Sequence, residues 1–284
     1  MPEIRCERVQ TTMAEATRFP DFRKPPVVEV VCGVLVQPIE ALKAPHLGDF
    51  WMRIRSSFPH CEEQTLLSPV VEVFGSPPSA TLQITDVPPL PRVWFLTQRG
   101  ERLIQVQRDR FLFNWRRLDA DDAYPHFDSV YGDFTKYLAV FRDFVAAIGG
   151  GALDALQYEL TYVNHIDGAL IESAVSNMGR VFRDFTWTAD ASRWLPVPAD
   201  STWRTTFALP DKAGRLHSTV RLLVDDESHR RFIRFELTAR GIRTDKTVDA
   251  MKSWFDTAHE WVVRGFADLT TPDLQREVWE RTDV

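Results

Sequence analysis

The sequence predicts an α+β fold made of two pseudo-repeated β-α-β(n)-α halves, with antiparallel sheet or sheets and long helices packed on one side. Three observations carry that expectation. Val27–Val36 and residues 156–166 read as opening strands rich in β-branched and aromatic residues, and each precedes a helical segment. Short alternating segments separated by turn residues follow in both halves. Two long amphipathic stretches, 131–148 and 248–266, then close them. The expected divisions are an N-terminal arm (1–24), a first half (25–150) and a second half (151–284), forming one compact unit. The match is one of element order with little residue identity, so ancient duplication and chance periodicity stand level.

Pro25-Pro26 ends any helix in the arm, because proline biases its predecessor to extended backbone. Pro45 opens a helix with Leu47, Phe50, Trp51, Ile54 and Phe58 on one stripe. Strands are expected over 70–74, 80–85 and 92–99, then a hairpin of 102–107 and 110–117. In its second arm Phe111, Phe113 and Trp115 alternate with Arg110, Leu112, Asn114 and Arg116. The helix over 131–148 repeats Phe134, Tyr137, Leu138, Phe141, Phe144, Val145 and Ile148 at threes and fours, and Gly149-Gly150-Gly151 stops it. In the second half a strand (156–166) precedes a helix (169–182) and a Trp- and Pro-containing loop (186–201). Strands over 203–209 and 216–224 flank the turn sequence Pro210-Asp211-Lys212-Ala213-Gly214, and 231–240 is a further strand. Met251, Trp254, Phe255, Ala258, Trp261 and Val262 share a face of the last long helix. Thr271-Pro272 then starts a short terminal one as N-cap and first-turn proline.

Composition excludes several classes. With 44% hydrophobic and 26% charged residues the chain is neither disordered nor fibrous. A net charge of −6 disfavours general polyanion binding. The start, Met1-Pro2-Glu3-Ile4-Arg5, lacks the apolar core of a signal peptide, and the longest apolar stretch, Val27–Val36, contains Glu29. A cytoplasmic protein without membrane partner is expected. Cys6, Cys32 and Cys61 are odd in number and widely spaced, which supports free thiols rather than a zinc knuckle or redox pair.

No G-x-S-x-G elbow or Walker sequence occurs, and no catalytic residue is assigned. Gly149-Gly150-Gly151 follows a helix and precedes a strand, the wrong order for a phosphate loop. His60-Cys61-Glu62-Glu63 reads as a solvated loop, because adjacent side chains do not converge on one ion. Asp119, Asp121 and Asp122 suit the positive start of a helix better than a cation. No metal or cofactor is expected.

The polar strand positions carry the functional expectation. Gln157, Glu159, Thr161, Val163 and His165 share one face of their strand, and Tyr158, Leu160, Tyr162 and Asn164 share the other. Arg234, Glu236, Thr238 and Arg240 form another polar face, as do Arg110, Asn114 and Arg116. The plain reading is a solvated sheet face with cross-strand Arg–Glu pairs. The functional reading is a concave binding surface of Asn114, Arg116, Glu159, Asn164, His165, Arg234 and Glu236, with arginines for phosphate or carboxylate and the Asn164-His165 pair for acid–base chemistry. Trp187 and Trp194 lie in a loop without periodicity, where an aromatic either plugs the core or anchors an interface.

Several segments together carry a resemblance: Phe19-Pro20 with Pro25-Pro26-Val27-Val28-Glu29-Val30, the run from Leu103 to Arg116, Tyr124-Pro125 before a Phe-rich helix, Tyr158 to Ile166, and Phe266 to Trp279. The chain resembles a sporadically distributed bacterial family of about this length whose function is uncharacterised. The resemblance implies a bacterial cytoplasmic protein, with an accessory or genome-defence context, and carries over no site residues. The expected function is a non-catalytic interaction or scaffold protein with a protein partner or a second copy of itself. The alternative is a small-ligand-binding or enzymatic domain using the polar face. Nucleic-acid binding through Arg108, Arg110, Arg116 and Arg117 ranks third on net charge.

Overall fold

The structure, a computed structural model, describes residues 19–68, 70–72, 90–172, 174–188, 190, 192–226, 228–241 and 247–283. Its strands are β1 (Val27–Val36), β2 (His60–Gln64), β3 (Arg92–Leu96), β4 (Arg102–Gln107), β5 (Arg110–Arg116), β6 (Ala155–Asp167), β7 (Thr202–Ala208), β8 (Arg215–Val224) and β9 (Arg231–Gly241). Among the described residues these nine form one sheet in the order β2-β3-β4-β5-β1-β6-β9-β8-β7, with every neighbouring pair antiparallel. β1 lies at the centre and, apart from Glu29, is apolar on both faces, as suits a strand largely covered from both sides. At Gly33 the sheet needs a missing side chain, since a Cβ there would overlap the Leu112 side chain of β5.

The α-helices are α1 (Ala44–Ile54), α2 (His126–Ala147), α3 (Val248–Leu269) and α4 (Pro272–Glu277). Their apolar stripes join one sheet face in a single core. Phe141 of α2 stacks on Phe111 of β5 at 5.1 Å and meets Phe50 of α1 edge-on at 5.3 Å. Trp254 of α3 packs on Tyr158 of β6 at 5.6 Å. The Thr247 side chain caps α3 by accepting from the Ala250 amide. Thr271 takes the N-cap position of α4 ahead of Pro272, as expected, but its side chain forms no cap hydrogen bond; its hydroxyl donates to the Arg180 carbonyl and ties the terminal helix to the loop after β6.

The reading as two pseudo-repeated β-α-β(n)-α halves is overturned. The finding is a single antiparallel sheet that continues across the middle of the chain, with β1 hydrogen-bonded to β6 from Val27 to Val36. The element succession does not repeat either. Where a helix was expected over 169–182, the chain makes two 3-10 turns, Gly168–Ile171 and Val175–Arg180. Glu172 between them is left-handed at φ 53°. A Cβ on Gly168 would overlap the Arg231 carbonyl of β9, so backbone-to-backbone packing takes precedence over helical continuity here.

Two smaller expectations also change. Residues 60–63 are not a loop but most of β2, an edge strand with exposed side chains. Residues 70–72 are not in a strand; the rest of the expected 70–74 strand, the 80–85 strand, and residues 1–18 of the arm lie outside the described residues. The end of the arm pairs with the C-terminal segment through the Phe22–Arg281 bridge. Cys32 is buried and Cys61 exposed, both free thiols, and Cys6 lies outside the described residues. No helix among the described residues is long and apolar enough to cross a membrane.

Candidate functional site

Antiparallel register places directly paired residues on the same face. One row across the sheet is Arg116, Glu29, Val163, Glu236 and Thr219; the next is Asn114, Val31, Thr161, Thr238 and His217. These rows face away from the helices. The sheet therefore separates an aromatic core on one side from a polar face on the other.

At one end of that face Glu29 is the centre. Asn114 Nδ2 donates to Glu29 Oε1 at 2.7 Å, and Asn114 Oδ1 accepts from Gln105 Nε2 at 2.8 Å. Gln105 Oε1 in turn accepts from Arg92 and from the Trp94 indole, both at 2.9 Å. All these bonds run in one direction, from cation and indole towards the carboxylate, so each polarises the next. Arg116 lies over the Trp94 ring at 5.4 Å and donates to the Gly100 carbonyl. Arg234 pairs with Glu236 at 2.9 Å, with 40% of its side chain exposed. Burial pushes the Glu29 carboxyl above its usual range, against the Asn114 hydrogen bond and the nearby Arg116 and Arg234 charges. His165 is paired in register with Arg234 and packs on Phe232 at 4.5 Å; burial and the Arg234 charge both lower its pKa.

At the other end a short stretch of chain crosses the same face. The Leu67 amide donates to Gln107 Oε1, and Gln107 Nε2 donates back to the Leu67 carbonyl. Gln157 does the same from β6: its Oε1 accepts from the Glu72 amide and its Nε2 donates to the Val70 carbonyl. Glu72 then accepts from Arg215 and His217 of β8, with its side chain 3% exposed. Two glutamines thus hold main chain, which any sequence could supply, and one arginine–histidine pair holds a carboxylate. Leu66, Leu67 and Val71 of this strap remain exposed. Glu159 and Arg240 pair at 2.6 Å on the same face, and the Thr161 and Thr238 hydroxyls bond at 2.9 Å.

Of the residues singled out from sequence, Asn114, Arg116, His165, Arg234 and Glu236 lie around Glu29, and Glu159 lies towards the strap. Asn164 is on the opposite face, where its Nδ2 donates to the Phe235 carbonyl, so it and His165 point apart. Trp187 lies under the Arg193 guanidinium at 4.0 Å, and Trp194 is 91% exposed. Sequence reasoning missed Glu29, Gln105, Gln107, Gln157 and Glu72 as site groups. A carboxylate inside an otherwise apolar strand was the available signal for Glu29, and strand alternation put Gln157 on the polar face; nothing local marked Gln105 and Gln107. Among the described residues no group of three His, Cys, Asp or Glu side chains could hold a metal. Asp122 accepts from the Leu118 and Asp119 amides and from Arg99, so it fastens a loop.

The raised Glu29 pKa sets the sign of a pH effect. The folded chain holds the proton more tightly, so this group's contribution is full in acid and is lost as pH rises through the folded pKa. Glu29→Gln keeps an oxygen acceptor for Asn114 and removes the charge. It is expected to melt above the wild type at neutral pH and level with it in acid, as measured by thermal unfolding at both. A lower melting temperature at neutral pH would mean that the Arg116 and Arg234 charges outweigh burial.

Comparison with protein-family models and with curated proteins gives no match for this chain.

Proposed function

We propose that this is a non-catalytic binding protein whose polar sheet face receives an extended, acidic segment of a protein partner. The observation that carries this reading is the strap. The face already holds main chain, through Gln107 and Gln157, and seats a glutamate between Arg215 and His217. The Glu29 end offers similar chemistry. Val163, the partner of Glu29 in register, is six residues along β6 from Gln157, or roughly 20 Å at strand rise. There the partly exposed Arg116 and Arg234 supply charge for an acidic side chain.

The test is fluorescence anisotropy with labelled nonapeptides of acidic, neutral and basic composition. Acidic peptides are expected to bind best, and Arg116→Ala combined with Arg234→Ala to weaken them at least tenfold while leaving the melting temperature within a few degrees. Equal binding of all three compositions, or an unchanged affinity in the double variant, would overturn the reading.

A further inference from the structure

On the helix side of the sheet lies a cavity of about 880 Å³, within the range of small-molecule sites. It sits where the start of β1, the later part of β6, the segment before α2 and the middle of α3 meet. Eight rings line it, among them Phe19, Phe22, Phe127, Phe266, the Tyr124–Tyr162 pair and His259. The exposed Asp21, Arg23, Lys24, Asp121 and Asp128 also border it, and the polar groups on its ring walls include Tyr124, Tyr162 and His259. The Tyr124 and Tyr162 hydroxyls bond to each other at 2.7 Å. That bond uses one of two protons, so the accepting hydroxyl keeps a proton for which the described residues show no acceptor. Tyr162 is 6% exposed and Tyr124 half-buried, and either hydroxyl can be the donor of their bond. His259 stacks flat on Phe127 at 4.2 Å and 8°, and no hydrogen bond to its ring nitrogens is formed by the described residues. A buried donor without an acceptor is costly unless something else fills the role.

We propose that this cavity binds an uncharged, flat aromatic molecule bearing a hydroxyl group, which accepts from the Tyr124–Tyr162 pair and bonds to His259. The ring walls select a flat apolar body. The demand for an uncharged ligand follows from the ring walls around Tyr124, Tyr162 and His259, which would desolvate a charge without pairing it. Burial lowers the His259 pKa to about 4, so the ring stays neutral at physiological pH, offering one donor and one acceptor. Asp128, Asp256 and Glu260 oppose that shift and Lys252 assists it, yet burial outweighs them together. The Tyr124 and Tyr162 hydroxyls are pushed well above their usual range for the same reason. The site is independent of the polar face, which lies across the sheet.

The probes are 1-naphthol and naphthalene, which differ by one hydroxyl, titrated by calorimetry against the full chain. Saturable one-to-one binding is expected, with 1-naphthol tighter by about three- to tenfold, the worth of one or two net hydrogen bonds. Tyr162→Phe should remove that preference and keep naphthalene binding. Val263→Trp, at a partly exposed lining position, should fill the cavity and abolish both; Val263→Phe substitutes if the larger ring prevents folding, as judged by circular dichroism. Absence of saturable binding overturns the proposal. So does a preference that survives Tyr162→Phe, or binding that survives a folded cavity-filling variant.

Discussion

Trp254→Ala is expected to destabilise the protein by about 3–5 kcal/mol, the range for removing a large aromatic from a packed core. Trp254 is fully buried, meets Phe255 edge-on at 5.0 Å and Tyr158 at 5.6 Å, and its indole donates to the Ala213 carbonyl at 2.8 Å. Truncation therefore opens a large void and leaves a buried carbonyl without its donor, two costs in the same direction. That carbonyl belongs to the turn that starts β8, so the damage should spread from α3 to the sheet. Trp194→Ala is the control: its side chain is almost wholly exposed, and a change within about 0.5 kcal/mol is expected. Urea unfolding of both variants checks the pair. A Trp254→Ala loss below about 1 kcal/mol would mean that α3 is not anchored where the structure puts it.

The two tryptophans show what was legible in the sequence. Trp254 sits on a stripe with Met251, Phe255, Ala258 and Val262, and a 3.6-residue period specifies which face of a helix is buried. Trp194 has no periodic neighbours, so the sequence left core plug and surface anchor level, and only the fold separates them. Strand alternation was equally readable: the inward set Phe111, Phe113 and Trp115 and the outward set Asn114 and Arg116 follow from period two alone. What failed was anything depending on partners distant in sequence. Ile171, Val175, Met178, Val181 and Phe182 are all buried at helix-like intervals, which is why 169–182 read as a helix. Their burial is real, but it is achieved by two tight turns, the first pressed on β9, where Gly168 lets the two backbones touch. Likewise the pairing of β1 with β6 joins segments over a hundred residues apart, and no local pattern announces it. The binding groups divide the same way. Arg116, Arg234 and Glu236 stood out as charges on a strand face, whereas what Gln107 and Gln157 hold, the main chain of Leu67, Val70 and Glu72, is visible only in the fold.

Glu72→Ala is the other large effect expected, a loss of about 3–5 kcal/mol, because it removes one side of a buried ion pair. The carboxylate is 3% exposed, and Arg215 and His217 are themselves only 15% and 17% exposed. Without Glu72 these groups lose this carboxylate while remaining largely desolvated. The consequence should also be local. Gln157 bonds the Glu72 amide and Gln107 the Leu67 amide, so both protons should exchange faster once the anchor is gone. The wild type supplies an independent check through pH. Burial pushes the Glu72 carboxyl up, but the His217 and Arg215 hydrogen bonds and charges outweigh it, and the net pKa is lowered. A lowered carboxyl contributes stability above its unfolded pKa and loses it as pH falls through the folded value. Strap protection should therefore fade in acid in the wild type, and the variant should lack that transition. If Glu72→Ala instead unfolds within about 0.5 kcal/mol of the wild type and leaves the Leu67 and Glu72 amides equally protected, the strap does not depend on its carboxylate. The polar face would then be a backbone-holding surface without preference for acidic partners, and the charge selectivity proposed for Arg116 and Arg234 would lose its precedent within the molecule.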